Sequence, residues 1–212
     1  MLRKQLLDTS RGRVVSLLQH GGLTADDLAS KLGVTTNAVR EHLASLERDG
    51  VVERTGRRPG TTRPSHVYEL TADVEQLLSQ AYVPFVTELI QVFTMGLSAQ
   101  RVGRLMREVG EGLADKLSPG KRPVDLRARV TLASRLINEH LGAVTRVEEN
   151  GSFVIRGAGC PLAALTGKHP SVCLAIESLV AKVVGSPVHE CCDRTTRPRC
   201  GFEIKRRLTN GR

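Results

Sequence analysis

The sequence predicts a mainly α-helical protein with small β elements: an N-terminal winged helix-turn-helix, central dimerisation helices, and a C-terminal α+β cysteine-rich domain. Three observations predict it. Apolar residues recur at helical spacing from Ser10 to Gly142, a basic Gly/Pro-rich stretch follows the third helix, and all five cysteines lie between Cys160 and Cys200.

Composition narrows the possibilities. The chain has 212 residues, 40% of them hydrophobic, which supports a packed core and excludes general disorder. With no Trp, four Phe and two Tyr, that core is built mostly from Leu, Val, Ile and Ala. A net charge of +9 favours an anionic partner. No stretch approaches the roughly 18 to 20 apolar residues that span a bilayer. The charged start, Met1 to Asp8, lacks a signal-peptide core. The expectation is a cytoplasmic protein with no membrane partner, whose thiols stay reduced.

Ser10 can cap a first helix that shows Val14, Leu17 and Leu18 on one face, and Gly21-Gly22 stops it. Thr24 opens the second helix, with Asp27 in a capping-box position and Leu28 and Leu32 as its buried stripe. Gly33 provides the turn into a third helix, Thr35 to about Asp49. There Val39, Leu43 and Leu46 face inward, while Thr36, Asn37, Arg40 and Glu41 face away. That layout is a helix-turn-helix, and Arg and Asn can read guanine and adenine edges in a major groove.

Two strands follow, Val51–Arg54 and His66–Leu70, flanking a loop rich in Gly, Pro and Thr. Arg54, Arg57, Arg58 and Arg63 fall in this stretch with no acid among them. A basic hairpin placed behind a recognition helix is suited to gripping the phosphate backbone. The runs Leu23–Ala29, Thr36–Leu43 and Leu46–Val52 resemble the ArsR/DeoR-type winged-helix regulators. The resemblance implies a dimer on double-stranded DNA at an inverted-repeat operator.

Thr71 can cap a helix with Val74, Leu77, Leu78 and Ala81 as its stripe, and Pro84 is expected to kink or restart it. Phe85 to Leu97 is apolar on most faces, through Val86, Leu89, Ile90, Val92, Phe93 and Met95. Such a helix is either central in the core or buried against a partner. A homodimer suits a palindrome reader, because protein and operator symmetry must match. A helix from about Ala99 to Leu117 carries Arg101, Arg104 and Arg107 as a solvated row. Ser118 to Pro123 is the clearest linker. Leu126, Val130, Ala133 and Ile137 then mark a helix that ends at Gly142.

Beyond Gly142 the pattern turns to α+β. Strands at Ala143–Glu148 and Ser152–Arg156 flank Asn150-Gly151, a strong hairpin signal. A turn holds Cys160, a helix after His169-Pro170-Ser171 holds Cys173, and two last strands are expected at Val188–Cys192 and Cys200–Ile204. In a reduced compartment, clustered cysteines point to metal rather than disulfides, although they can also serve as small buried hydrophobes. Thiolates bind both zinc and iron–sulfur clusters. Cys160, Cys173 and Cys200 are natural ligands, completed by Cys192 or Cys191, since adjacent strand residues face opposite ways. His189 is a possible substitute. No close Cys-x2-Cys pair is present, and dispersed ligands lean towards a cluster over structural zinc.

Gly159–Ala163, His169–Glu177 and Arg199–Ile204 resemble the sensor domain of SufR-like regulators, repressors that carry a [4Fe-4S] cluster. The resemblance implies Cys160, Cys173 and Cys200 as ligands; the Cys191-Cys192 pair departs from the family pattern. Zn2+ is the alternative cofactor. The expected organisation is residues 1–70 for DNA binding, 71–120 for dimerisation, and 121–212 as the cysteine-containing sensor domain. A helical middle that senses a small molecule is a further alternative. An enzyme is not expected: no Cys-x-x-Cys, phosphate-binding glycine loop or His-Glu-x-x-His occurs, and His140, His169 and His189 are scattered.

Overall fold

The computed structural model describes residues 7–59, 64–118, 120–195 and 197–205, so Arg63 of the expected basic hairpin lies outside the described residues. The chain is mostly helical with two small sheets, and it divides into two compact units, Met1–Gln80 and Ala81–Arg212.

In the first unit, α1 (Ser10–Leu18), α2 (Ala25–Leu32) and α3 (Thr36–Arg48) surround a core of Val14, Leu18, Leu28, Val39, Leu43 and Leu46. The cap of α1 is Thr9, one residue before the expected Ser10, because its hydroxyl accepts the Gly12 N–H at 3.0 Å. At α2 the capping box is complete. The Thr24 hydroxyl accepts the Asp27 N–H at 3.2 Å, and the Asp27 carboxylate accepts the Thr24 N–H at 2.9 Å. These bonds, with the charge of Arg58 nearby, hold the Asp27 carboxyl below its ordinary range.

The strands of this unit depart from the sequence expectation. A short β1 (Leu23–Thr24) pairs with β3 (Ser65–Leu70), which also pairs with β2 (Val52–Arg58), giving the order β1-β3-β2. The first hairpin strand does not stop at Arg54 but runs on to Arg58. A register shift between Arg54 and Gly56 absorbs Thr55, after which Arg57 pairs with His66 and Arg58 with Ser65. A bulge of this kind lets a strand pass a glycine without losing its partner. Next, α4 (Ala72–Leu78) packs Val74 and Leu78 on the same core, while Leu77 is 82% exposed and Ala81 lies beyond the helix.

The second unit begins with α5 (Tyr82–Gly96). Of the two expected outcomes at Pro84 the restart is the one found: one helix ends at Leu78 and α5 begins at Tyr82, with Pro84 in its first turn, where a missing N–H costs no intrahelical bond. Only Ile90 of this helix is buried. Helix α6 (Ala99–Leu117) exposes Arg101, Arg104 and Arg107, as expected of a solvated row. Helix α7 (Leu126–Leu141) buries Val130, Ala133 and Ile137.

The hairpin of β4 (Thr145–Asn150) and β5 (Ser152–Gly157) turns at Gly151. After α8 (Ala163–Thr166) and a 3-10 turn (Pro170–Val172) comes α9 (Cys173–Val184), followed by β6 (Val188–Glu190) and β7 (Gly201–Ile204). The four-stranded sheet has the order β4-β5-β7-β6. Phe153, Ile155, Phe202 and Ile204 meet Ile176, Leu179, Val180 and Val183 of α9 in one core.

Helix α6 lies against the outer side of α9 at very short range. A Cβ on Gly110 would stand 2.0 Å from the Ala175 carbonyl, so only glycine permits that approach. A Lys182–Asp115 ion pair at 2.6 Å ties the same two helices.

Replacing Thr24 by Ala should lower the unfolding free energy of the first unit by about 1 kcal/mol, since the hydroxyl's bonds to the Asp27 N–H and carboxylate are lost while the backbone N–H of residue 24 keeps its bond to Asp27. The depressed Asp27 carboxyl contributes stability above its unfolded range, and that contribution fades as pH falls through its folded value. Urea unfolding at pH 7 and at pH 3 checks both statements: the difference between wild type and Thr24→Ala should shrink at the lower pH.

Candidate nucleic-acid interface and thiol cluster

Two groups of functional side chains emerge, one in each unit. On α3 the structure leaves Asn37, Arg40 and Glu41 exposed on the face opposite Val39, Leu43 and Leu46. Thr36 is half-buried and committed elsewhere, its hydroxyl donating to Asp26 Oδ1 at 3.0 Å.

The arginines of the hairpin divide in the same way. Arg54 pairs with Glu47 at 2.8 Å and lies over the Tyr68 ring. Arg58 donates to the Gly22 carbonyl at 2.9 Å and sits 3.7 Å from the Asp27 carboxylate, which clips the hairpin to the body of the domain. Arg40 and Arg57 enter no ion pair among the described residues, and both are exposed. They are therefore the cations best placed to meet an external anion.

In the second unit, Cys173 is the first residue of α9, Cys192 follows β6, and Cys200 precedes β7. The last two expected strands are shorter than anticipated. They end at Glu190 and begin at Gly201, which leaves the cysteines just outside the ladder. The backbone still pairs there, Cys191 N–H donating to the Gly201 carbonyl at 2.8 Å. Gly201 itself is enclosed: an added Cβ would meet the Cys191 carbonyl at 2.6 Å.

Here the thiols meet. The sulfurs of Cys173 and Cys192 lie within 4.8 Å of each other, and the pairing of Glu190 with Phe202 and of Asp193 with Arg199 sets Cys200 opposite Cys192. The Cys192 sulfur further accepts the Gly201 N–H at 3.3 Å. Ligand atoms of Cys173, Cys192 and Glu190 all lie within 4.8 Å of one another. Cys160 is half-buried on the same core, reached through the Cys200 N–H bond to the Gly159 carbonyl at 3.2 Å, but it stands outside that group.

Cys191 is exposed and feels Arg156 and Glu203. Of the adjacent pair it is Cys192 that reaches the other thiols. His189, the possible substitute ligand, is exposed at the centre of β6, opposite Glu203. Glu190 was not anticipated. The spacing Glu-x-Cys could have marked it, because residues i and i+2 of a strand face the same side.

The electrostatics suit a cation. The Cys173 thiol is pushed far up, first by its bond to Cys192 and then by burial, with Arg194 opposing. The bond from Cys173 pulls Cys192 down, yet its bond to Cys200 and its burial leave it pushed up to about 12. Arg194 pairs with Glu190, and its charge favours the thiolate form of Cys173. In tetrahedral zinc, sulfurs 2.3 Å from the metal lie about 3.8 Å apart, so the donor chemistry and spacing fit a thiophilic metal.

A family described as a helix-turn-helix domain matches residues 6–55. No curated protein matches the chain significantly. Among solved structures it is similar to a double mutant of Lactococcus lactis ZitR in apo form, at 16% identity over 46% of this chain and 74% of that one. The TM-score of 0.29 is too low for that likeness to bear on fold or function.

With its thiol raised, Cys192 of reduced, metal-free protein should react with iodoacetamide at pH 7 on the order of a hundredfold or more below a free cysteine, because only thiolate attacks. Peptide mapping by mass spectrometry over a pH series measures this. A Cys192 rate equal to that of free cysteine at pH 7 would contradict the hydrogen-bonded arrangement.

Proposed function

We propose that the protein is a DNA-binding transcription regulator, acting as a repressor, whose C-terminal cysteines hold a metal centre that sets DNA affinity. The observation that carries the first half is the helix-turn-helix domain, which presents Asn37, Arg40 and Glu41 on α3 directly before a basic hairpin. The grouping of Cys173, Cys192 and Glu190, with Cys200 opposite Cys192 across the strand pairing, supports the second half.

In this account Arg40 and Asn37 read base edges, and Arg57 grips phosphate. Arg54 and Arg58 act partly through the fold, by holding the hairpin in place. DNA binding falls to residues 1–70, dimerisation to 71–120 and sensing to 121–212. The resemblance to SufR-like repressors favours a [4Fe-4S] cluster on Cys160, Cys173, Cys192 and Cys200; a cluster bound there would supply redox- and iron-responsive chemistry. A second reading, a single Zn2+, is favoured by the tight spacing of the Cys173, Cys192 and Glu190 donors.

Dimerisation is supported by α5, which exposes Tyr82, Val83, Phe85, Leu89, Val92 and Met95. Phe85 is 68% and Met95 79% exposed, more apolar surface than one solvated helix ordinarily shows. A second copy of the chain is the occupant that an inverted-repeat operator demands.

Arg40→Ala should relax sequence preference at a cost of about 1–3 kcal/mol. Arg57→Ala should weaken all sequences alike and reduce the salt slope by about one. Fluorescence anisotropy across a salt series distinguishes the two, and unchanged affinity in both variants would refute this docking. Val92→Asp should convert a dimer to monomer in sedimentation velocity, whereas an unchanged sedimentation coefficient would place the dimer contact elsewhere. Metal and acid-labile sulfide analysis of protein purified without oxygen separates the cluster from zinc.

A further inference from the structure

The four-cysteine ligand set of a cluster leaves out Glu190. Its carboxylate lies within 4.8 Å of the sulfurs of Cys173 and Cys192, and its side chain is only 14% exposed. A half-buried carboxylate beside two thiols concentrates groups that become negative together, which is costly without a cation among them. In the protein that cation is Arg194, which pairs with Glu190.

The carboxylate is also fixed in direction. Glu190 Oε1 accepts the Cys192 N–H at 3.2 Å, and the Glu190 N–H donates to Glu177 Oε2 on α9 at 2.9 Å. Strand geometry sends residues 190 and 192 to the same side. A surface salt bridge would need neither the burial nor the two anchoring backbone bonds.

We propose that Glu190 is a direct ligand of the metal centre, completing with Cys173 and Cys192 a mixed thiolate–carboxylate site for a divalent ion of the zinc type. The inference rests on the metal-centre reading above, and it puts Glu190 in place of Cys160. Cys200, set opposite Cys192 by the strand register, is the next thiol along the pairing. On binding, each ligating thiol releases one proton and forms a metal–sulfur bond. Glu190 donates an oxygen lone pair and releases no proton. Arg194, 39% exposed, has solvent to move into as the ion takes over its role of balancing charge.

Cobalt(II) added to the reduced, metal-stripped full-length chain tests this. Wild type should develop sulfur-to-cobalt charge-transfer absorption, and X-ray absorption at the cobalt edge should show a shell of sulfur with at least one oxygen. Glu190→Gln should weaken cobalt binding at least tenfold while keeping the charge-transfer band, and Cys160→Ser should bind within a few-fold of wild type. An all-sulfur shell in the wild-type protein overturns the proposal even if Glu190→Gln fails to fold. Wild-type affinity in Glu190→Gln, with cobalt lost from Cys173→Ser and Cys192→Ser, also overturns it but leaves a thiolate centre standing. Undiminished binding in both cysteine variants would instead refute the metal-centre reading itself.

Discussion

The contact between the thiols of Cys173 and Cys192 depends on where α9 lies along the sheet, and much of the second unit serves to fix that position. Cys173 heads the helix, and Cys192 leaves the strand that follows it. Sliding α9 by one turn, about 5.4 Å, would part the two sulfurs. The helix is held on one side by Phe153, Ile155, Phe202 and Ile204 of the sheet, and on the other by the glycine-permitted approach of α6 at Gly110. Antiparallel pairing of β6 with β7 then brings Cys200 beside Cys192, and Gly201 leaves room for the backbone at the crossing. The neighbouring thiol and then burial raise Cys173, and Cys192 is raised by Cys200 and burial against the pull of Cys173, so these two are protonated acids that a metal cation can convert to ligands.

The first unit uses the same economy with polar contacts. Asp26 receives the Thr36 hydroxyl from α3 at 3.0 Å and the Ser65 hydroxyl from β3 at 3.4 Å, so one carboxylate joins the recognition helix to the hairpin. Arg58 and Arg54 add two more clips, to Gly22 and Glu47. Among the described residues Asn37, Arg40 and Arg57 are exposed and enter no ion pair, and their donors suit bases and phosphates. Rigid placement of such donors lowers the ordering cost of binding.

The helices were legible because their apolar spacing and caps are local. Thr24 with Asp27, and Gly142 at the end of α7, mark their positions within four or five residues of sequence. The hairpin at Gly151 was equally plain. Features set by distant partners were not. The two-residue β1 exists only because Leu23 and Thr24 pair with Tyr68 and Val67. The strand β2 outruns its expected end because Ser65 and His66 stay paired beyond the bulge. At the candidate site, residue type alone marks Cys173, Cys192 and Cys200, whereas Glu190 matters only because the fold carries it to the head of α9. Sequence spacing alone left Cys191 and Cys192 equivalent; the pairing of Cys191 with Gly201 separates them.

The central claim is that metal occupancy in the second unit sets the DNA affinity of the first. Allosteric coupling typically amounts to 1–3 kcal/mol, or roughly 5- to 150-fold in affinity. The most direct measurement is the dissociation constant for a duplex selected from genomic fragments by the protein itself, taken at one fixed salt concentration with metal-replete and metal-stripped protein. A change of about tenfold or more between the two forms, absent in Cys173→Ser, is the predicted result. Equal affinity in both forms, with the metal demonstrably present in one and removed from the other, would contradict it.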